Sequence, residues 1–126
     1  MSGTVLIVDD EPTILKMVSA LLAKAGYDIH TCHMWPGVAN KMREAEPDLV
    51  LLDYNMPGVN GGDLCRILRR NQCGENVRIV LYSAEDESDL LRIVGECGAD
   101  GYIRKSTPAH QLVAAVRVAL GEESPA

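Results

Sequence analysis

Three short runs of the chain are continuously apolar: Val5-Leu6-Ile7-Val8, Leu49-Val50-Leu51-Leu52 and Ile79-Val80-Leu81. Unbroken runs of this length suit strands buried on both faces of a parallel sheet. Two weaker strand signals differ from them. Tyr27 to Cys32 alternates polar and apolar residues, and Tyr102-Ile103 is very short, so both are expected at sheet edges. Helical spacing fills the intervals. Ile14, Val18, Leu21 and Ala25 share a face before the stop at Gly26, and Val38, Met42 and Ala45 repeat the pattern before Pro47. Leu64, Ile67 and Leu68 form a third stripe, and Leu90, Leu91, Val94 and Cys97 a fourth before Gly98. Leu112, Val116 and Leu120 form the last, with Thr107 as a hydroxyl N-cap and Pro108 at the first helical position.

A strand-helix unit repeated five times implies an α/β architecture. Right-handed crossovers, with the second and fifth strands at the edges, give a doubly wound five-stranded parallel sheet of order 2-1-3-4-5, the flavodoxin-like (βα)5 arrangement. Its topological switch point lies between strands one and three, so ligand chemistry is expected beyond the carboxyl ends there. Asp9, Asp10 and Glu11 follow strand one, Asp53 ends strand three, Ser83 ends strand four, and Lys105 lies just past strand five. Adjacent strands are about 4.8 Å apart, which brings the carboxylates into one pocket. Such a cluster repels itself unless a cation intervenes, and an all-oxygen donor set suits Mg²⁺. Taken singly, each residue reads most simply as a solvated strand end or a helix cap. Their arrival at four strand ends makes coincidence a poor explanation.

Composition narrows the function. The 126 residues carry 12 Lys and Arg against 18 Asp and Glu, a net charge of −6, which argues against binding nucleic acid phosphates. No apolar run approaches the roughly 20 residues of a membrane span, and no secretory signal is visible, so a cytoplasmic protein without membrane association is expected. Phe is absent, so the core must be aliphatic. Cys32, Cys65, Cys73 and Cys97 lack the spacing of zinc sites and read as reduced thiols.

Four segments together resemble the receiver domain of two-component response regulators, over residues 4 to 120. They are Val8-Asp9-Asp10-Glu11-Pro12, Asp53-Tyr54-Asn55-Met56-Pro57-Gly58, Ser83-Ala84, and Gly98-Ala99-Asp100-Gly101-Tyr102-Ile103-Arg104-Lys105. The resemblance implies that Asp53 accepts a phosphoryl group from a histidine kinase or a phosphotransfer protein. It implies Mg²⁺ held by Asp10, Asp53 and the backbone carbonyl of Asn55, with Asp9 acting through water. Ser83 and Lys105 would bind the phosphoryl oxygens, and Tyr102 would be the aromatic switch residue. Asn55 and Glu85 would flank the path of the hydrolytic water and so set the lifetime of the phosphorylated state. The surface that changes would comprise the fourth helix, fifth strand and fifth helix, read by a downstream protein target, with a phosphorylation-dependent homodimer as a further outcome.

The same resemblance implies a signalling domain that assists only its own phosphorylation and dephosphorylation. A pseudo-receiver is disfavoured by the intact Asp9, Asp10, Asp53, Ser83 and Lys105. A phosphatase is disfavoured because Asn55 stands where a second acid/base carboxylate would be needed. Residues 1–121 read as the receiver, and 122–126 as a polar tail or the start of a linker. Both a single-domain regulator and a receiver fragment of a larger one fit. One departure stands out: receivers usually follow the lysine with proline, whereas this chain has Lys105-Ser106, which leaves a trans loop or a strained one open. Elsewhere the expectations are plain. Trp35 starts a helix or plugs its entry, with a partner contact as the sharper alternative. Arg66, Arg69 and Arg70 form a solvated face, Met17, Met34 and Met42 fill core or loop space, and His30, His33 and His110 are structural or surface residues.

Overall fold

The computed structural model describes residues 3–70 and 76–122. Its principal sheet contains β1 (Thr4–Val8), β2 (Asp28–Cys32), β3 (Leu49–Asp53), β6 (Arg78–Ser83) and β7 (Gly101–Arg104), all parallel, in the order β2-β1-β3-β6-β7. That is the order expected from the sequence. A two-residue antiparallel pair, β4 (Asn55–Met56) with β5 (Val59–Asn60), folds the loop after β3 back on itself. The helices are α1 (Pro12–Lys24), α2 (Val38–Ala45), α3 (Gly61–Arg70), α4 (Glu87–Cys97) and α5 (Ala109–Ala119).

The apolar runs are unbroken because the sheet is buried on both sides. Successive side chains alternate between two cores. Leu6, Val8, Val50, Leu52, Ile79 and Leu81 pack with Val38, Met42, Leu64 and Leu68 of α2 and α3. Val5, Ile7, Leu49, Leu51, Val80 and Tyr82 pack with Val18 and Leu22 of α1 and Leu112 and Val116 of α5. Cys32, Cys65 and Cys97 are buried thiols, while Cys73 lies outside the described residues.

Several side chains differ from expectation. Met17, Ile67 and Leu91 are exposed, and Leu22, Cys65 and Ile93 are buried instead. Each exposed residue lies roughly 100° around its helix from the centre of the buried stripe, so an apolar neighbour in sequence falls outside the contact face. Met34 is likewise exposed, in the turn before α2, and only Met42 of the three fills the core. Pro108 is the N-cap of α5, not its first helical residue, because its ψ of 153° is extended, and Thr107 makes no capping bond. Arg69 is not on a solvated face. Its guanidinium donates to the carbonyls of Val77 and Gly98 and pairs with Asp100, tying α3 to the approach to β6 and to the α4–β7 turn. Arg66 does pair at the surface, with Asp63. Glu122 folds back, its carboxylate accepting a bond from the Tyr27 hydroxyl at 3.2 Å.

α2 ends at Glu46, the one non-glycine residue with positive φ among those described (47°), whereas α4 ends at Gly98 with φ 82°. A side chain in the left-handed region costs about 1–2 kcal/mol, and glycine gives back part of that through unfolded-state entropy. Glu46→Gly is therefore expected to stabilise the fold by about 0.5–1 kcal/mol in urea titration. A loss of stability would show that Glu46 is held by something more than its backbone.

Candidate functional site

The parallel sheet delivers its polar residues to one end. Asp9 follows the last residue of β1, Asp53 is the last of β3, Ser83 the last of β6, and Lys105 the first after β7. All but Lys105 are buried, with Asp9 and Ser83 fully covered and Asp53 3% exposed. Asp10 is half-buried at the rim. Carboxylate oxygens of Asp9, Asp10 and Asp53 lie within 4.8 Å of one another. Among the described residues one cation faces this cluster: Lys105 Nζ is 2.9 Å from Asp9 Oδ2, 3.2 Å from Asp53 Oδ1 and 3.9 Å from Glu11 Oε1.

The backbone fixes these side chains. The Glu11 N–H donates to Asp9 Oδ1 at 3.0 Å, and the Asn55 N–H to Asp53 Oδ1 at 3.2 Å. The Lys105 N–H donates to the Ser83 carbonyl at 2.7 Å, continuing the β6–β7 pairing past the strand ends. No cis peptide bond occurs among the described residues, so Lys105 reaches both carboxylates from a trans loop, and Ser106 is accommodated without the usual proline. The Lys105 ammonium lies over the face of Tyr82, with Nζ 5.7 Å from the ring centre. A cation at that distance over an aromatic face is attracted to it.

The charges do not balance. Burial, and then the charge of Asp9, push the Asp53 carboxyl up to about 6, against the opposing pull of Lys105 and the Asn55 N–H. Lys105 itself is raised: burial alone would lower it, but the two carboxylates outweigh that. Asp9 Oδ2 is buried with only the ion pair to Lys105 and no hydrogen bond of good geometry. An under-compensated, all-oxygen cluster with a buried carboxylate oxygen lacking a hydrogen bond fits a hard divalent cation such as Mg²⁺.

The mouth of the site is spanned by a contact that sequence spacing could not reveal. Asn55 Nδ2 donates to Glu85 Oε1 at 3.0 Å, joining the loops after β3 and β6. Ser83 Oγ accepts the Glu85 N–H at 3.1 Å, which leaves its own proton free to donate. Tyr102 is half-buried on β7, and its hydroxyl donates to Glu87 of α4 at 2.6 Å. Trp35 sits in a single 3₁₀ turn leading into α2, with its indole against Gly58. A Cβ at Gly58 would come within 2.8 Å of the indole nitrogen, and φ there is +90°, so both space and backbone demand glycine. The structure thus brings Asp9, Asp10, Asp53 and Lys105 together, links Asn55, Glu85 and Ser83 beside them, and places Tyr102 against Glu87 of α4. The Asn55–Glu85 bond and the Tyr82 platform are additions. The only sequence sign of the latter was an aromatic residue at the end of an aliphatic strand.

A doubly wound parallel sheet with an acidic cluster at its switch point, faced by a lysine from beyond β7, defines a class of domain that binds a charged ligand at the carboxyl ends of its strands. The chain belongs to the response regulator receiver domain family, whose model matches residues 5–117. It is 37% identical to the DNA-binding response regulator MtrA of Mycolicibacterium smegmatis, over 100% of this chain and 55% of that protein. It is 36% identical to the phosphate regulon transcriptional regulatory protein PhoB of Pseudomonas aeruginosa, over 97% of this chain and 53% of that protein. The chain therefore spans about half the length of these regulators. Among solved structures, a putative response regulator from Chloroflexus aurantiacus superposes with a TM-score of 0.87 at 28% identity, covering 97% of this chain and 100% of that one. The BeF3-activated N-terminal receiver domain of Klebsiella pneumoniae RstA superposes with a TM-score of 0.84 at 32% identity, covering 94% and 98%. No described helix is long and apolar enough to cross a membrane.

Proposed function

We propose that this receiver domain is a phosphorylation switch in which Asp53 takes a phosphoryl group from the phosphohistidine of a histidine kinase or phosphotransfer protein. The observation that carries this is the single ammonium of Lys105 placed against both Asp9 and Asp53 at the bottom of a three-carboxylate cluster. An Asp53 oxygen attacks phosphorus, the P–N bond to the imidazole breaks, and an acyl phosphate forms with Lys105 and the Ser83 hydroxyl beside its new oxygens. At neutral pH the carboxyl is mostly ionised despite its raised pKa, so the nucleophile is available. Asp10, Asp53 and the Asn55 carbonyl would hold Mg²⁺, with Asp9 acting through water. Bound there, the ion would offset the charge that accumulates during transfer.

In this reading Ser83 is drawn toward the phosphoryl group, and Tyr102 leaves Glu87 for the space vacated. The surface of α4, β7 and α5 then shifts between two states, to be read by a downstream protein or a second copy. Residues 1–121 act as the receiver, in a cytoplasmic regulator that is either single-domain or longer, and this module itself contacts neither nucleic acid nor membrane. The direct test is intact mass after treatment with acetyl phosphate. One phosphoryl group should add in Mg²⁺, and none after chelation. Uptake that ignores Mg²⁺ would contradict the role of the acidic cluster.

The Asn55–Glu85 bond bears on how long the signal lasts. Two polar, unbranched groups at the mouth can hold a water in line with phosphorus, so the phosphorylated state should decay within minutes. Asn55→Phe keeps the backbone carbonyl but breaks the bond and fills the approach. Its phosphorylated mass should persist several-fold longer than that of the parent, and an equal or shorter lifetime would remove Asn55 from this role.

A further inference from the structure

We propose that the cleft between α1 and α5 is a binding site for a small anionic amphiphile, a carboxylate carried on an apolar body. The cleft encloses about 500 Å³, within the range of small-ligand sites. Its walls are Met17, Ala20 and Leu21 of α1 with Ala109 and Leu112 of α5, and Tyr82 and Lys105 also line it. Met17 is 51% exposed, so this apolar wall is open to an occupant.

Two polar groups define what that occupant should be. Tyr82 is 2% exposed, yet its hydroxyl has no hydrogen-bond partner among the described residues. Tyr82 lines the cleft, so its hydroxyl stands at the tip of a side chain in the cleft wall. A phenol buried to this degree ordinarily finds a partner. Lys24 lies on the cleft wall with no carboxylate within ion-pairing distance among the described residues, and no acidic residue lines the cleft. One hydroxyl without a protein partner and one ammonium without a carboxylate partner, beside an aliphatic wall, complement a carboxylate with an apolar body. Lys105 gives the site its interest: the residue that lines this cleft also places its ammonium on Asp9 and Asp53. An occupant would therefore touch the acidic cluster's counter-ion through a single side chain.

The probes are 2-naphthoate and its neutral isostere 2-naphthamide, titrated into the isotopically labelled chain and followed by backbone amide shifts. Saturable shifts centred on Met17, Leu21 and Leu112 are expected, with naphthoate at least tenfold tighter than naphthamide. Lys24→Met should bring naphthoate down to the affinity of the amide, Tyr82→Phe should weaken naphthoate while leaving the spectrum folded, and Met17→Glu should abolish binding. Equal affinity for the two probes, indifference to Lys24→Met, shifts scattered away from the cleft, or no saturation at millimolar probe would each overturn the proposal. None of these readouts depends on phosphoryl transfer, so their failure leaves the reading of Asp53 untouched.

Discussion

Asp53→Asn is expected to stabilise the metal-free protein at pH 7 by an amount on the order of 3 kcal/mol. The Asp53 carboxyl titrates near 6 in the folded chain, against an ordinary value of 3.8, because it is buried beside Asp9. Each pH unit of such a difference is worth about 1.4 kcal/mol. The folded state binds this proton more tightly than the unfolded state does. The stability it confers is therefore fully present below 3.8 and is lost as pH rises through 6. Asparagine mimics the neutral form at every pH, so the gap between variant and parent should open between about pH 4 and 6 and stay level above. Urea titrations in a chelator across that window give the comparison. Mg²⁺ should narrow the gap by stabilising the parent more than the variant, since a ligand that binds only the folded state adds to its stability. A gap that widens toward acid would reverse the sign and contradict the assignment of the raised pKa.

Lys105→Met should have the larger effect, in the opposite direction. It leaves Asp9 and Asp53, at 0% and 3% exposure, without the one cation that pairs with them among the described residues. Breaking a buried ion pair from one side costs about 3–5 kcal/mol, because a charge is left uncompensated. The loss should shrink in acid, where Asp53 protonates, and the double variant Lys105→Met with Asp53→Asn should recover a large part of it. Groups in one network do not add independently, so simple additivity in the cycle would separate Lys105 from Asp53. Functionally, the Lys105 variant should still take some phosphoryl group but lose the amide shifts on α4 and α5 that follow it in the parent. Full-sized shifts would remove Lys105 from the coupling.

The strand order and the site were legible in the sequence for the same reason. A parallel strand buried on both faces must be apolar throughout, so a polar residue ending Val5–Val8, Leu49–Leu52 or Ile79–Leu81 marks both the strand's end and the sheet's functional edge. Helix faces were less legible. Leu91 and Met17 are apolar and next to core positions in sequence, and only the packing direction of the helix separates them from Ile93 and Val18. Arg69 shows the limit from the polar side: a basic residue among other arginines looks solvated until Gly98 and Asp100 are brought beside it by a distant turn. The Asn55–Glu85 bond and the Tyr82 platform under Lys105 join residues 30 and 23 apart in number, so they exist only once the sheet is assembled.

The central claim is that Asp53, and neither neighbouring aspartate, carries the phosphoryl group. An acyl phosphate is reducible, so borohydride added after acetyl phosphate and Mg²⁺ converts the modified aspartate to homoserine, which peptide mass mapping locates. Homoserine at position 53 alone, absent when the phosphodonor is omitted, is the result predicted. Homoserine at Asp9 or Asp10, or an unreduced Asp53 in protein whose mass shows one added phosphoryl group, would contradict it.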